Sequence, residues 1–103
     1  MGSTGTMFNP ILDRVQAEFG VTRAQLLAPT RSSREVAWAR QIAVHLCHRL
    51  CPDASWAELG RWFGRDRTTM RHAHEKVADI RGQGEDLNEK LEEIERVCAV
   101  PTV

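Results

Sequence analysis

Every apolar run in this chain repeats at three or four residues, and no stretch alternates with a period of two. A half-buried strand needs alternation, whereas an amphipathic helix needs a stripe near 3.6, so the pattern confines the chain to all-α architectures. Helix-start signals punctuate it. Asn9-Pro10, read as a cap followed by a first-turn proline, precedes Ile11, Val15 and Phe19, one stripe that Gly20 ends. Thr22 with Gln25, Ser32 with Glu35, and Ser55 with Glu58 each have capping-box spacing. The first opens a short helix bearing Leu26 and Leu27 that stops before Pro29. The second opens a long helix with Val36, Ala39 or Arg40, Ala43, Leu46, Cys47 and Leu50 in register, ending near Cys51-Pro52. The third opens a short helix to about Trp62, with Trp56, Leu59 and Phe63 inward. Gly64-Arg65 turns the chain, and Asp66 caps a helix to about Arg81. Gly82-Gln83-Gly84 breaks it, and a last helix from about Glu85 to Cys98 carries Leu87, Leu91, Ile94 and Cys98 in register. The expectation is an all-α domain of five to six helices over residues 9–98, between a mobile leader at 1–8 and a tail at 99–103.

A chain of 103 residues has room for one domain and one core. Its formal net charge is zero, but the charges are not spread evenly. Residues 31–76 hold nine Arg/Lys against five Asp/Glu, whereas residues 77–103 hold three against seven. A neutral total therefore hides a basic middle and an acidic end. Only Lys76 and Lys90 among the basic residues are lysines, and arginine's planar fork suits phosphate and guanine edges. No segment approaches the length of a membrane span. The odd count of three cysteines, without a secretory leader, reads as a reducing cytoplasm without disulfides. The start Met1-Gly2-Ser3-Thr4-Gly5-Thr6 formally fits a myristoylation pattern but reads more simply as a polar leader.

A short helix, a glycine turn and a longer helix is the sequence form of a helix-turn-helix. At 100° per residue, Met70, Ala73, Val77 and Ile80 fall on one side of the second helix, and Arg67, Thr68, Arg71 and Glu75 fall on the other. The basic residues of its first two turns point away from the core together. Free N–H groups and arginines at such a helix start suit a polar, anionic surface, with duplex DNA the leading candidate.

The stretch Gly64-Arg65-Asp66-Arg67-Thr68-Thr69-Met70-Arg71-His72-Ala73 resembles the signature of the C-terminal, duplex-DNA-binding domain of the bacterial replication initiator family, DnaA. The resemblance extends over about residues 9–97. It takes in Leu26-Leu27, the arginine/serine linker, Ala39-Arg40-Gln41, Glu58-Leu59-Gly60 and Phe63-Gly64-Arg65-Asp66. It implies that Asp66, Arg67, Thr68, Thr69 and His72 meet the major groove and adjacent backbone, and that Arg40 and Gln41 contact the duplex. It also implies that a linker arginine enters the minor groove. Arg65 and Arg71 complete the candidate set. The chain departs from the family twice. Arg67 stands where the family has histidine, which would shift base preference toward guanine through O6 and N7. Ser32 stands where the family has the linker arginine, leaving Arg31 as the candidate wedge. The chain has no G-x-x-x-x-G-K-[ST] phosphate loop, so no nucleotide or other cofactor is expected. The chain is therefore expected to be either a domain of a longer protein or a stand-alone relative, and in the second case the expected role is occupancy of initiator-type boxes or a diverged operator.

Other constellations carry less. His45-x-Cys47-His48-x-x-Cys51 has ligand residues, but four strung along one helix face different ways, and Cys47 falls on the buried stripe. His72 and His74, two apart, cannot share a metal. No metal site or catalytic site is expected. Trp56 and Trp62 sit at core spacing beside leucines, and Trp38 lies beside the basic linker. The acidic last helix reads as a solvated face over a Leu/Ile stripe, with docking of a protein partner as a weaker possibility. The contrasting function is a protein-interaction module that keeps the fold without DNA affinity.

Overall fold

The structure, a computed structural model, describes residues 7–29 and 33–99. Among these there are six helices and no strand: α1 (Phe8–Phe19), α2 (Arg23–Leu27), α3 (Arg34–Leu50), α4 (Trp56–Phe63), α5 (Arg67–Arg81) and α6 (Glu85–Ala99). The helix starts follow local chemistry. Thr22 and Ser55 form the expected capping boxes with Gln25 and Glu58, and the Asp66 carboxylate accepts from the Thr69 N–H at 2.8 Å.

Two starts differ from expectation. α1 begins at Phe8, with Met7 at the cap and no side-chain capping bond, so Pro10 sits at the third helical position rather than the first. The first four N–H groups of a helix have no intrahelical acceptor, so a proline there sacrifices nothing. Asn9 is thereby released from capping and accepts from the Arg23 guanidinium at 2.6 Å. Phe8, expected in the leader, instead packs edge-on against Phe63 with ring centroids 5.3 Å apart. At α3, Ser33 rather than Ser32 is the cap, its hydroxyl accepting from the Val36 N–H at 3.2 Å. Either serine satisfies one orphan donor, and the added reciprocal bond from Glu35 is too small a gain to choose between adjacent hydroxyls.

The long helix α3 is the centre of the domain. A helix with one exposed face should bury one stripe, yet Val36, Ala39, Arg40, Ile42, Ala43, Val44, His45, Leu46 and Cys47 are all buried. The cause is that α1, α2, α4, α5 and α6 all pack around it, most extensively α5 and α1. α4 and α5 pack on each other through Leu59, Phe63, Met70, Ala73 and Val77, and α6 closes the far side with Leu91 and Ile94. The expected inward residues of α5 hold, except that Ile80 is only half-buried at its end. No helix among the described residues is long and apolar enough to cross a membrane.

Candidate nucleic-acid interface

The turn between α4 and α5 fixes what α5 can present. Gly64 adopts the left-handed conformation, φ 69°, and its N–H returns to the Gly60 carbonyl. The Arg65 N–H reaches the same carbonyl at 2.9 Å. A Cβ at Gly60 would overlap the Arg65 carbonyl oxygen, so the two helices approach this closely only because residue 60 lacks a side chain. Directly beyond this turn, Asp66 caps α5. Its carboxyl is held below the ordinary carboxylate range by the backbone and side-chain hydrogen bonds from Thr69.

With Met70, Ala73 and Val77 turned into the core, Arg67, Thr68, Thr69, Arg71 and His72 are all exposed. A shallow groove lies on each side of this row. One, of ≈ 480 Å³, runs between Trp56 and Arg67, Thr68, Arg71, His72 and Glu75. The other, of ≈ 270 Å³, runs between the first half of α3 and α5. Arg40, Gln41, Arg65, Thr69, His72 and Lys76 give it its polar lining, and no carboxylate among the described residues lines it. Three permanent cations around a cleft without an acid make a local positive field that the chain's zero net charge does not suggest.

The candidate residues are not equivalent. Arg40 is 9% exposed. Its Nε donates to the Leu26 carbonyl at 2.6 Å and its Nη2 to the Gln25 carbonyl at 2.9 Å. Arg65 donates to the Phe63 carbonyl at 2.9 Å and to the Ala28 carbonyl at 2.6 Å. Both guanidiniums thus converge on the carbonyl end of α2, which is the negative end of that helix. Burial, and next the nearby Arg65 charge, lower the Arg40 pKa. The structure therefore gives these two arginines an architectural task, holding the chain just before the linker against the helix-turn-helix. Gln41 is half-buried in the cleft, and its Oε1 has no hydrogen-bond partner among the described residues. Arg71 is paired with Glu75 at 3.1 Å, but both side chains are largely exposed, and such a pair adds little. Arg31 and Ser32 lie outside the described residues.

Two residues join the interface that sequence reasoning did not place there. Lys76 lines the α3–α5 cleft, and its Nζ lies 5.9 Å from the centroid of the Trp38 ring. Its register was available, since residues 69, 72, 73 and 76 form one stripe. Trp56, read as inward, is half-buried and borders the outer groove. In the other direction, Glu95 of the acidic helix is not part of a solvated face, because it accepts from both Arg49 and Arg81. Among the described residues no three of His, Cys, Asp and Glu are placed to hold a metal ion. Burial raises the Cys47 thiol well above its ordinary pKa, which opposes the thiolate a metal requires.

The sequence is similar to those of known proteins. Residues 8–77 match the family described as the bacterial dnaA protein helix-turn-helix. The chromosomal replication initiator protein DnaA of Caldanaerobacter subterraneus subsp. tengcongensis is 36% identical over 66 residues, which cover 64% of this chain and 15% of that protein. The DnaA protein of Mycobacteroides abscessus is 36% identical over 80 residues, covering 78% of this chain and 16% of that protein. The chain thus spans only a small part of the length of the relatives it matches. With α1 to α4, the glycine turn and the Asp66-capped start of α5 inside the matched segment, the chain belongs to the bacterial DnaA helix-turn-helix family.

Proposed function

We propose that this domain binds duplex DNA sequence-specifically, placing the first two turns of α5 in the major groove and a backbone phosphate in the cleft between α3 and α5. The observation that carries this reading is the cleft itself, where Arg40, Arg65 and Lys76 gather, with no carboxylate among the described lining residues, beside the exposed row Arg67, Thr68, Arg71 and His72. The row suits base edges and the cleft suits phosphate, a division in which phosphate contacts position and base contacts specify. Gln41 fits the same reading. Its side chain lines the cleft, and its NH2 group can donate to an anion there. Arg31, one residue from the family's position, is proposed to reach the adjacent minor groove with Ser32 beside it, and Asp66 and Thr69 to line the α5 entry. The target class is initiator-type boxes or a diverged operator on the bacterial chromosome in the cytoplasm. Occupancy of such sites would regulate replication or transcription without nucleotide.

Selection from a random duplex library tests this directly, and footprinting at low salt that protected no duplex site would sink it. Affinity for duplex is expected to fall steeply with salt, at a log–log slope of about −0.9 for each phosphate neutralised. A protein-interaction module with the same fold would show no such affinity. Arg67→Ala is expected to cost about 1–3 kcal/mol on the selected site and little on random duplex. Equal losses on both, measured by titration at one salt concentration, would remove Arg67 from base reading.

A further inference from the structure

Three histidines meet between α3 and α5. His45 is 2% exposed. Its Nδ1 lies 3.0 Å from His74 Nδ1, and its Nε2 lies 3.0 Å from Arg81 Nη1. The two imidazoles are stacked at 4.9 Å with planes 15° apart. His48 stacks on Trp56 at 4.3 Å and leans on His74 at 4.4 Å, its Nδ1 buried with no hydrogen-bond partner among the described residues. Behind the row, Arg81 is committed. It donates to both carboxylate oxygens of Glu95, at 2.9 and 3.0 Å, and to Asn88 at 2.7 Å.

These contacts dictate where the protons are. A guanidinium only donates, so His45 Nε2 must be bare and accept from Arg81. The neutral His45 ring then carries its proton on Nδ1 and donates it to His74. His74 Nδ1 must therefore be bare, and the His74 proton is on Nε2. Donation runs outward from Arg81, to Glu95 on one side and through His45 to His74 on the other, and this assignment leaves no two N–H groups opposed. A proton added to His45 sets its Nε2–H against an Arg81 N–H. A proton added to His74 Nδ1 sets two N–H groups face to face across 3.0 Å.

We propose that His45 and His74 form a proton-sensitive latch between α3 and α5, which seats α5 on the core while both rings are neutral and releases it in acid. The surrounding charges favour the neutral state. α3 contributes Arg49 and His48, and α5 contributes Arg81 with Glu75 in opposition. α6 contributes Glu95, with Glu92 acting on Arg81, and α4 contributes the uncharged Trp56. Burial first, then His74, Arg81 and Arg49, hold the His45 pKa down to about 4 against the partial opposition of Glu95. Burial is likewise the leading cause that lowers His74 and His48. The unfolded chain takes up a proton at His45 near pH 6.5, whereas the folded chain resists it until about 4. Stability is therefore full above 6.5 and falls as pH drops through that window.

Two measurements decide it. Long-range proton–nitrogen correlation of the imidazoles at neutral pH should show His45 protonated on Nδ1 and His74 on Nε2; His45 protonated on Nε2 overturns the latch. Chemical unfolding at pH 7 and pH 5 should show the folding constant falling roughly 20-fold further in the wild type than in His45→Gln, by proton linkage at His45. A glutamine amide at this position can accept from Arg81 and donate to His74 without titrating. Equal pH dependence in the two proteins refutes the proposal, and if His45→Gln does not fold, the wild-type tautomers alone support or overturn it. Since α5 carries the proposed interface, the latch would couple duplex affinity to pH, and that consequence alone rests on the DNA reading. Failure to bind duplex at pH 7 would defeat that reading and leave both latch measurements intact.

Discussion

Gly60→Ala is expected to destabilise the domain by about 2 kcal/mol although it replaces a helical glycine by the best helix former. Propensity favours alanine by about 1 kcal/mol in a helix interior. Against this, the new Cβ overlaps the Arg65 carbonyl oxygen, which is backbone and has no rotamer in which to retreat. Overpacking of this kind costs about 1–3 kcal/mol and more where nothing yields, so the upper end of that range applies and the clash wins. Relief requires moving the turn, and the turn is held by the Gly64 and Arg65 N–H groups on the Gly60 carbonyl. Thermal unfolding should register a drop of roughly 10 °C, since about 1 kcal/mol shifts the midpoint of a domain this size by roughly 4–8 °C. Gly20→Ala is the useful contrast, because a Cβ there meets nothing within 4 Å and any loss comes only from φ 65°. A Gly60→Ala protein as stable as wild type would mean that the α4–α5 approach is not close-packed in solution. Because Asp66 and Arg67 follow immediately, the displaced turn should also re-aim the α5 entry, and duplex affinity should fall with stability.

What was legible in the sequence was local. The capping pairs Thr22–Gln25 and Ser55–Glu58, the Asp66 cap and the stops at Gly20, Gly64 and Pro52 each act within a few residues, and the structure has all of them. The family signature in residues 64–73 added the functional expectation, and the segment matched to the family contains that stretch. What was not legible depended on partners far along the chain. Arg40 meets Gln25 and Leu26, Arg65 meets Ala28, and His45 meets His74, 14 to 37 residues away. No periodicity reports which guanidinium finds a carbonyl and which is left for a ligand. The burial of His45 on α3 has the same origin, since α5 and α6 cover a face that the Val36–Leu50 stripe alone would leave to solvent.

This distinction makes Arg40→Ala the sharper of the arginine substitutions. If Arg40 acted on DNA by charge alone, its removal would weaken binding to every sequence and leave stability alone. The structure points to a larger effect on the fold. Two charge-assisted hydrogen bonds to the Leu26 and Gln25 carbonyls are lost, each worth about 1.5–3 kcal/mol. Part of this is offset, because the substitution also removes a buried cation and its repulsion from Arg65. A net loss of about 2–3 kcal/mol in chemical unfolding is expected, together with uniform weakening on specific and random duplex as α2 and the chain leading to residues 30–32 lose their anchor. Arg40→Lys separates the two roles. An ammonium preserves the charge facing the α3–α5 cleft but cannot span two carbonyls with a planar fork. Lysine should therefore recover less than half of the lost stability and leave much of the binding defect. Full recovery of both by lysine would show that charge, and not the clamp on α2, is what the domain requires of Arg40.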